Sequence, residues 1–412
     1  MTSTQTTTPP STTGWEGDAA AKTNMPPQRI AGRSVKLDAL RGIAILLVFG
    51  RHQQISPDTA GALAIPAALW QRFGWTGVDL FFVLSGFLVG GLLLKEILRF
   101  GNLHPGRFLV RRGLKIWPSY YVYLAWVAIE KLWIDRPAAH FAEVWHSLWP
   151  SVFNIQNYLW LVKPHLWSLG VEEHFYLCLP LALLCFASTP ALLARRRVLV
   201  ALVAVALGCL MLRVLTGNVL PDLNNRYYTH LRMDSLGFGF LLAYVFHVRP
   251  QWWKKLGERR GLLFLLGLVA IAPAAILPYR SLWLGSIGLT SLYLGYGAIL
   301  VACVSESVRP HWLDRVLKGW MGRSLAFIGF SSYSIYLWHI DIGGAAADAV
   351  KPFLFVRHTE LHWLAVTAIF GLTAVAGGIL IGRAVEMPVL HLRDRFFPTR
   401  VARVVAGSSN RE

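Results

Sequence analysis

Charged residues are scarce in this chain: Asp, Glu, Lys and Arg supply 15% of its 412 residues, where a soluble domain carries about a quarter. With 55% hydrophobic residues beside that shortage, an ordinary water-soluble globular protein is excluded. Cysteine is almost absent. Cys178, Cys185, Cys209 and Cys303 all fall in apolar stretches without paired spacing, which excludes a disulfide framework and a cysteine metal centre. Residues 1 to 35 are rich in Thr, Ser and Pro and lack the apolar core of a signal peptide, so they read as a disordered cytoplasmic tail. No repeat relates 36–210 to 225–390, which weighs against a secondary transporter built from related halves.

Long hydrophobic runs, by contrast, are plentiful. Stretches able to span a bilayer recur about ten times, near 37–56, 75–98, 113–130, 168–189, 198–216, 230–247, 261–278, 282–304, 324–346 and 361–385. The expected fold is an all-α polytopic membrane protein. Acidic residues are few, leaving a formal charge of +18. In a soluble protein that would suggest nucleic acid, but the alternation of loops absorbs it. With the N-terminus placed in the cytoplasm, 28 of the 40 Lys and Arg fall on the inner side and 9 on the outer, leaving Arg41, Arg213 and Arg232 within spans. The bias persists to the end of the chain, so ten spans with both termini cytoplasmic are expected, and no nucleic-acid partner. Residues 36–390 form the membrane domain, 391–412 read as a basic cytoplasmic tail, and no appended soluble domain is expected.

The first span carries ionisable residues that a bilayer disfavours by about 2.5 to 3.5 kcal/mol each and that usually persist because they act. In LDALRGIAILLVFGRH, the eleven-residue step from Arg41 to His52 returns to within roughly 20° of one helix face, about 16 Å further along the axis. A guanidinium and an imidazole therefore look into one interior at two depths. Asp38 shares the stripe and reads as a first-turn dipole residue.

Several strings together resemble the acyltransferase-3 family of bacterial membrane O-acyltransferases over residues 36 to about 390. They are the Arg41 and His52 pair, GVDLFFVLSGFL at 77–88, RFLVRRGLKIWP at 107–118, WSLGVEEHFYL at 167–177, THLRMDSLGFG at 229–239, SSYSIYLWH at 331–339, and Glu386 with Pro388. One departure is Lys115, where the family more often has arginine; the charge remains but bidentate phosphate contact does not.

The resemblance implies transfer of an acyl group, usually acetyl from acetyl-CoA, to a hydroxyl of a carbohydrate or related acceptor. A cell-surface polysaccharide or lipid-linked glycan fits an enzyme of the bacterial cytoplasmic membrane; a small molecule such as an antibiotic sugar is the alternative. No metal is expected. On the ten-span topology His52, Asp79, Glu172, His230, Arg232, Asp234 and His339 all map to the outer half of the membrane. Arg41 and the basic loop with Arg107, Arg111, Arg112 and Lys115 map to the cytoplasmic end, where the phosphates of CoA would be attracted. His52 is the expected general base, because imidazole titrates nearest neutral pH. Glu172 or Asp234 would orient its ring, Arg232 would stabilise charge or pair with Asp234, and His230, His339 and Asp79 would face the acceptor. A covalent acyl-histidine stays open beside direct transfer. Asp79, Arg232 and Asp234 read equally well as structural pairs.

Overall fold

The structure, a computed structural model, describes residues 34–135, 141–193, 196–219, 226–306, 311–353 and 359–398. Most of the two tails read from composition lies outside them. Among the described residues every regular element is helical. In chain order they are α1 (Val35–Arg51), α2 (Ala64–Gly74), α3 (Gly77–Phe100), α4 (Pro105–Ile129), α5 (Phe141–Val152), α6 (Trp167–Phe186), α7 (Pro190–Leu193), α8 (Arg196–Val219), α9 (Met233–Val248) and α10 (Pro250–Glu258). Then follow α11 (Arg260–Ile271), α12 (Pro273–Ile276), α13 (Leu289–Val304), α14 (Trp312–Lys318), α15 (Trp320–Phe330), α16 (Ser332–Trp338), α17 (Gly344–Val350), α18 (Thr359–Ile381) and α19 (Met387–Phe396). The boundaries have local causes. Pro105 and Pro250 open α4 and α10, where a missing N–H costs nothing. Gly101 ends α3 in the left-handed region at φ 72°.

Five helical segments are long and apolar enough to cross a membrane: Gly77–Phe100, Pro164–Phe186, Arg196–Gly217, Leu284–Val304 and Thr359–Phe396. A sixth, Pro250–Glu258 with Arg260–Ile276, qualifies if its 81° bend lies within one span. The chain is thus a multi-pass membrane protein. Helix also occupies the other four stretches read as spans, but there it is short, polar or broken. α1 has 17 residues and α9 has 16; α4 carries Arg107, Arg111, Arg112 and Lys115; and 320–350 is divided into α15, α16, a π-helical turn His339–Gly343 and α17. These are the segments bearing Arg41, His52, Arg112, Arg232 and His339. Polar side chains gathered for a site lower the hydropathy of the helices that present them, and broken helix survives at membrane depth where protein surrounds it.

The main core forms where α3 packs along α9, α1 along α15 and α11 along α13. Glycines permit the closest of these approaches. A β-carbon at Gly86 of α3 would run into the Leu236 carbonyl, and one at Gly239 of α9 into the Val83 carbonyl, so the two backbones touch reciprocally. Gly86→Leu is expected to force α3 from α9 and cost roughly 3 kcal/mol or more, as overpacking does at rigid backbone contacts. Thermal denaturation in detergent checks this; an unchanged melting temperature would refute the close-contact reading.

Candidate active site

Two cavities lie along α1: one beside Arg41, called inner, and one beside His52 at the helix's C-terminal end, called outer. The inner one, about 50 Å³, is walled by α1, α3, α4, α6 and α16 and holds Arg41, Arg112, Lys115, Ser85, Glu172 and Ser332. The outer one, about 410 Å³, takes His52, Asp79, His165, Arg226, Arg232 and the rings of Trp75, Trp167, Tyr227 and Tyr279. Val78 of α3 and Tyr336 of α16 line both, so the two cavities adjoin at these side chains. Tyr336 is fixed there by its hydroxyl, which donates to the His165 carbonyl at 2.8 Å; the Ser168 hydroxyl, 2.8 Å from the Tyr336 hydroxyl oxygen, must then donate to that hydroxyl.

His52 follows the last residue of α1, with its backbone N–H 3.0 Å from the Phe49 carbonyl, so the ring emerges where the helix stops. Its partner is another histidine. His339 Nε2 lies 3.1 Å from His52 Nδ1, and His339 Nδ1 lies 2.7 Å from the Tyr336 carbonyl. A carbonyl only accepts, so His339 carries its proton on Nδ1 and offers a lone pair at Nε2. His52 Nδ1, also 3.2 Å from the Val48 carbonyl, therefore bears a proton, and its Nε2 is left as the basic lone pair. His339 is presented by the π turn, a wider helical turn that shifts side chains off the normal register. Asp341 of that turn accepts from the Tyr123 hydroxyl at 2.6 Å and from Lys163 Nζ at 2.7 Å. Burial alone would pull the Lys163 pKa down, but its hydrogen bonds to Asp341 and Glu130 outweigh that and hold it above the ordinary lysine value.

His165 completes a histidine cluster that the sequence reading did not find. Its ring centre is 5.5 Å from that of His339, its Nε2 lies 3.1 Å from the Leu337 carbonyl, and its Nδ1 meets no partner among the described residues. Its position just ahead of the Trp-Ser-Leu string was the available signal. Among the described residues no group of His, Cys, Asp or Glu is arranged to hold a metal ion.

The other expected residues separate by location. Glu172 does not meet His52: five residues into α6, it faces the inner cavity, accepting from Ser85 at 3.0 Å and Tyr176 at 2.5 Å. Asp234 does not line the outer cavity either; it pairs with Arg213 at 2.7 Å, both fully buried. Arg232 pairs with Asp79 at 2.6 Å rather than with Asp234. His230 stacks on Tyr158, with its Nδ1 3.0 Å from the Tyr158 hydroxyl, away from His52. Arg41 donates to Ser332 at 3.1 Å inside the inner cavity. The basic loop divides by what its side chains meet. Arg112 and Lys115 line the inner cavity, Arg112 lying 4.1 Å over the Tyr176 ring. Arg107 and Arg111, one turn apart, instead donate to the Pro398 and Phe397 carbonyls, and Arg111 pairs with Asp394 at 3.0 Å.

The chain is similar to proteins named as O-acetyltransferases. The chain is 28% identical over 378 residues to the peptidoglycan O-acetyltransferase OatA of Listeria monocytogenes, covering 86% of this chain and 55% of that protein. It is 26% identical over 326 residues to the O-acetyltransferase OatA of Staphylococcus aureus, covering 74% of this chain and 50% of that one. The chain thus spans about half the length of these relatives. No solved structure matches it. The family model described as an acyltransferase domain matches residues 34–383, from the start of α1 into the turn after α18, and the chain belongs to this acyltransferase-3 family.

Proposed function

We propose that this protein is a membrane O-acetyltransferase that takes an acetyl group from cytoplasmic acetyl-CoA and passes it to a hydroxyl of a cell-surface or lipid-linked glycan, with His52 as the base. Ten spans across the bacterial cytoplasmic membrane, with both termini on its cytoplasmic side, complete the reading. The observation that carries it is the pair of cavities: a basic one at the inner end of α1 and a histidine-bearing one at its outer end, with Val78 and Tyr336 as their common wall. The guanidiniums of Arg41 and Arg112 and the ammonium of Lys115 suit the phosphates of CoA, and the pantetheine arm would run along α1 toward His52. The acceptor oxygen attacks the thioester carbonyl as His52 Nε2 takes its proton. The C–S bond then breaks, and the imidazolium returns that proton to the departing thiolate. The names of the OatA relatives favour a glycan acceptor over a small molecule.

The division of the basic loop supplies the test. Arg112→Gln with Lys115→Gln should weaken equilibrium binding of labelled acetyl-CoA to the protein in nanodiscs by about tenfold or more, since charge-assisted contacts are each worth about 1.5–3 kcal/mol. Arg107→Gln with Arg111→Gln should change it far less. The reverse order would refute the inner cavity as the donor site.

A further inference from the structure

We infer that Lys163 is a positioning residue for the base: its ion pair with Asp341 clips the turn that carries His339 to the loop that carries His165, and so holds His339 against His52. This rests on the acyl-transfer reading above, with His52 as its base, and names a further residue of that machinery. Lys163 Nζ lies 2.7 Å from one carboxylate oxygen of Asp341, and the Tyr123 hydroxyl donates to the other at 2.6 Å. Glu130, just past the end of α4, accepts from Lys163 at 2.9 Å. With the Asp341 side chain 7% and the Lys163 side chain 19% exposed, salt screens this pair less than one on an open surface.

The effect of the clip comes from its place in the chain. Lys163 directly precedes the short 3-10 turn Pro164–Leu166, on which His165 sits, and Asp341 is the third residue of the π turn His339–Gly343. Ahead of His339 the two segments are joined twice: His165 Nε2–H donates to the Leu337 carbonyl at 3.1 Å, and the Tyr336 hydroxyl donates to the His165 carbonyl at 2.8 Å. Beyond His339, Asp341 is held by Lys163 and Tyr123. His339 is thus bracketed by an anchor on either side. The bracket matters because a π turn holds one residue more than an α-turn, and neighbouring positions can accommodate that residue as well. Moving it past His339 would swing the ring by about 100° around the helix. The 3.1 Å contact between His339 Nε2 and His52 Nδ1 would then be lost. Of the two side chains on Asp341, the ammonium makes the stronger hold, because its hydrogen bond joins opposite charges.

Nitrogen NMR of ring-labelled histidine in the full-length protein in nanodiscs reads this contact without any chemistry. The His52 signals are those lost in His52→Gln, and His339→Leu shows where they lie once the hydrogen bond to His339 is gone. Lys163→Gln should move them toward that second position, whereas Lys163→Arg, which keeps the charge, should leave them near wild type. With acetyl-CoA as donor and chitotetraose, a soluble amino-sugar glycan, as acceptor, Lys163→Gln should also lower kcat by about tenfold or more at an unchanged KM for acetyl-CoA, since a misplacement of about 1 Å can cost about a hundredfold. Added to His339→Leu, it should lower kcat little further, because both changes act through one contact. A salt bridge that only stabilises the fold would lower the melting temperature of Lys163→Gln and leave the His52 signals in place. That result, or additive losses of kcat in the double variant, overturns the inference. Should Lys163→Gln not fold, Asp341→Asn, which keeps an acceptor for the Tyr123 hydroxyl, carries the same expectation and the same refutation. Signals that move as expected in a protein that transfers no acetyl count against the acyltransferase reading alone.

Discussion

His52→Gln is expected to lower acetyl transfer by about a hundredfold to ten-thousandfold while leaving acetyl-CoA binding unchanged, the range that general base participation commonly supplies. Glutamine keeps the size and hydrogen bonding of the side chain but takes no proton near neutral pH and carries no acyl group. The donor site should be spared because Arg41, Arg112 and Lys115 lie in the other cavity, beyond Val78 and Tyr336. Near wild-type turnover would make His52 a positional residue only. The hydrogen bond to His339 adds a graded expectation. His339→Leu removes the acceptor that holds the His52 proton on Nδ1, but the Val48 carbonyl at 3.2 Å still favours that tautomer, so the loss should be smaller than for His52→Gln. Incubating wild-type protein with labelled acetyl-CoA and no acceptor then decides the route: label retained on His52 indicates a covalent intermediate, and its absence indicates direct transfer.

The helical periodicity of the first span was enough to place Arg41 and His52 at two depths of one interior, because both residues lie on a single helix whose geometry is local. The apolar runs likewise located the helices. What surrounds His52 was not legible in the same way. His339 reaches it through a π turn, and no sequence period announces an extra residue in a helical turn. Glu172 was expected to orient the ring because it is a carboxylate near the outer end of α6, but its position along and around that helix turns it toward the inner cavity. Asp234 faced a competitor the string THLRMDSLGFG does not contain, Arg213 on the preceding helix. The basic loop looked like one feature in sequence; in the fold Arg112 and Lys115 line the inner cavity, while Arg107 and Arg111 meet the chain after α19. Each difference arises where tertiary contact, rather than local pattern, selects the partner.

The Arg232 and Asp79 pair should govern stability as strongly as His52 governs chemistry. The two side chains meet at 2.6 Å and are each 1% exposed, so either one alone would be a charge stranded away from water. Removing one member of such a pair costs about 3–5 kcal/mol, whereas replacing both by apolar groups of similar volume is often neutral. Asp79→Leu and Arg232→Met should each lower the thermal stability of the detergent-solubilised protein sharply, and the double variant should recover most of that loss. Asp79→Leu is expected to be the worse single change, because a stranded Asp79 can take up a proton and become neutral, whereas a stranded Arg232 stays charged. Activity in the double variant separates the two roles these residues could hold. A stable double variant that retains transfer within about tenfold would make the pair a clamp between α3 and the start of α9; a stable one that has lost transfer would place Arg232 among the groups acting on the developing charge of the reaction, where a preorganised donor is worth about a hundredfold to a thousandfold. Singles as stable as wild type would refute the buried ion pair itself.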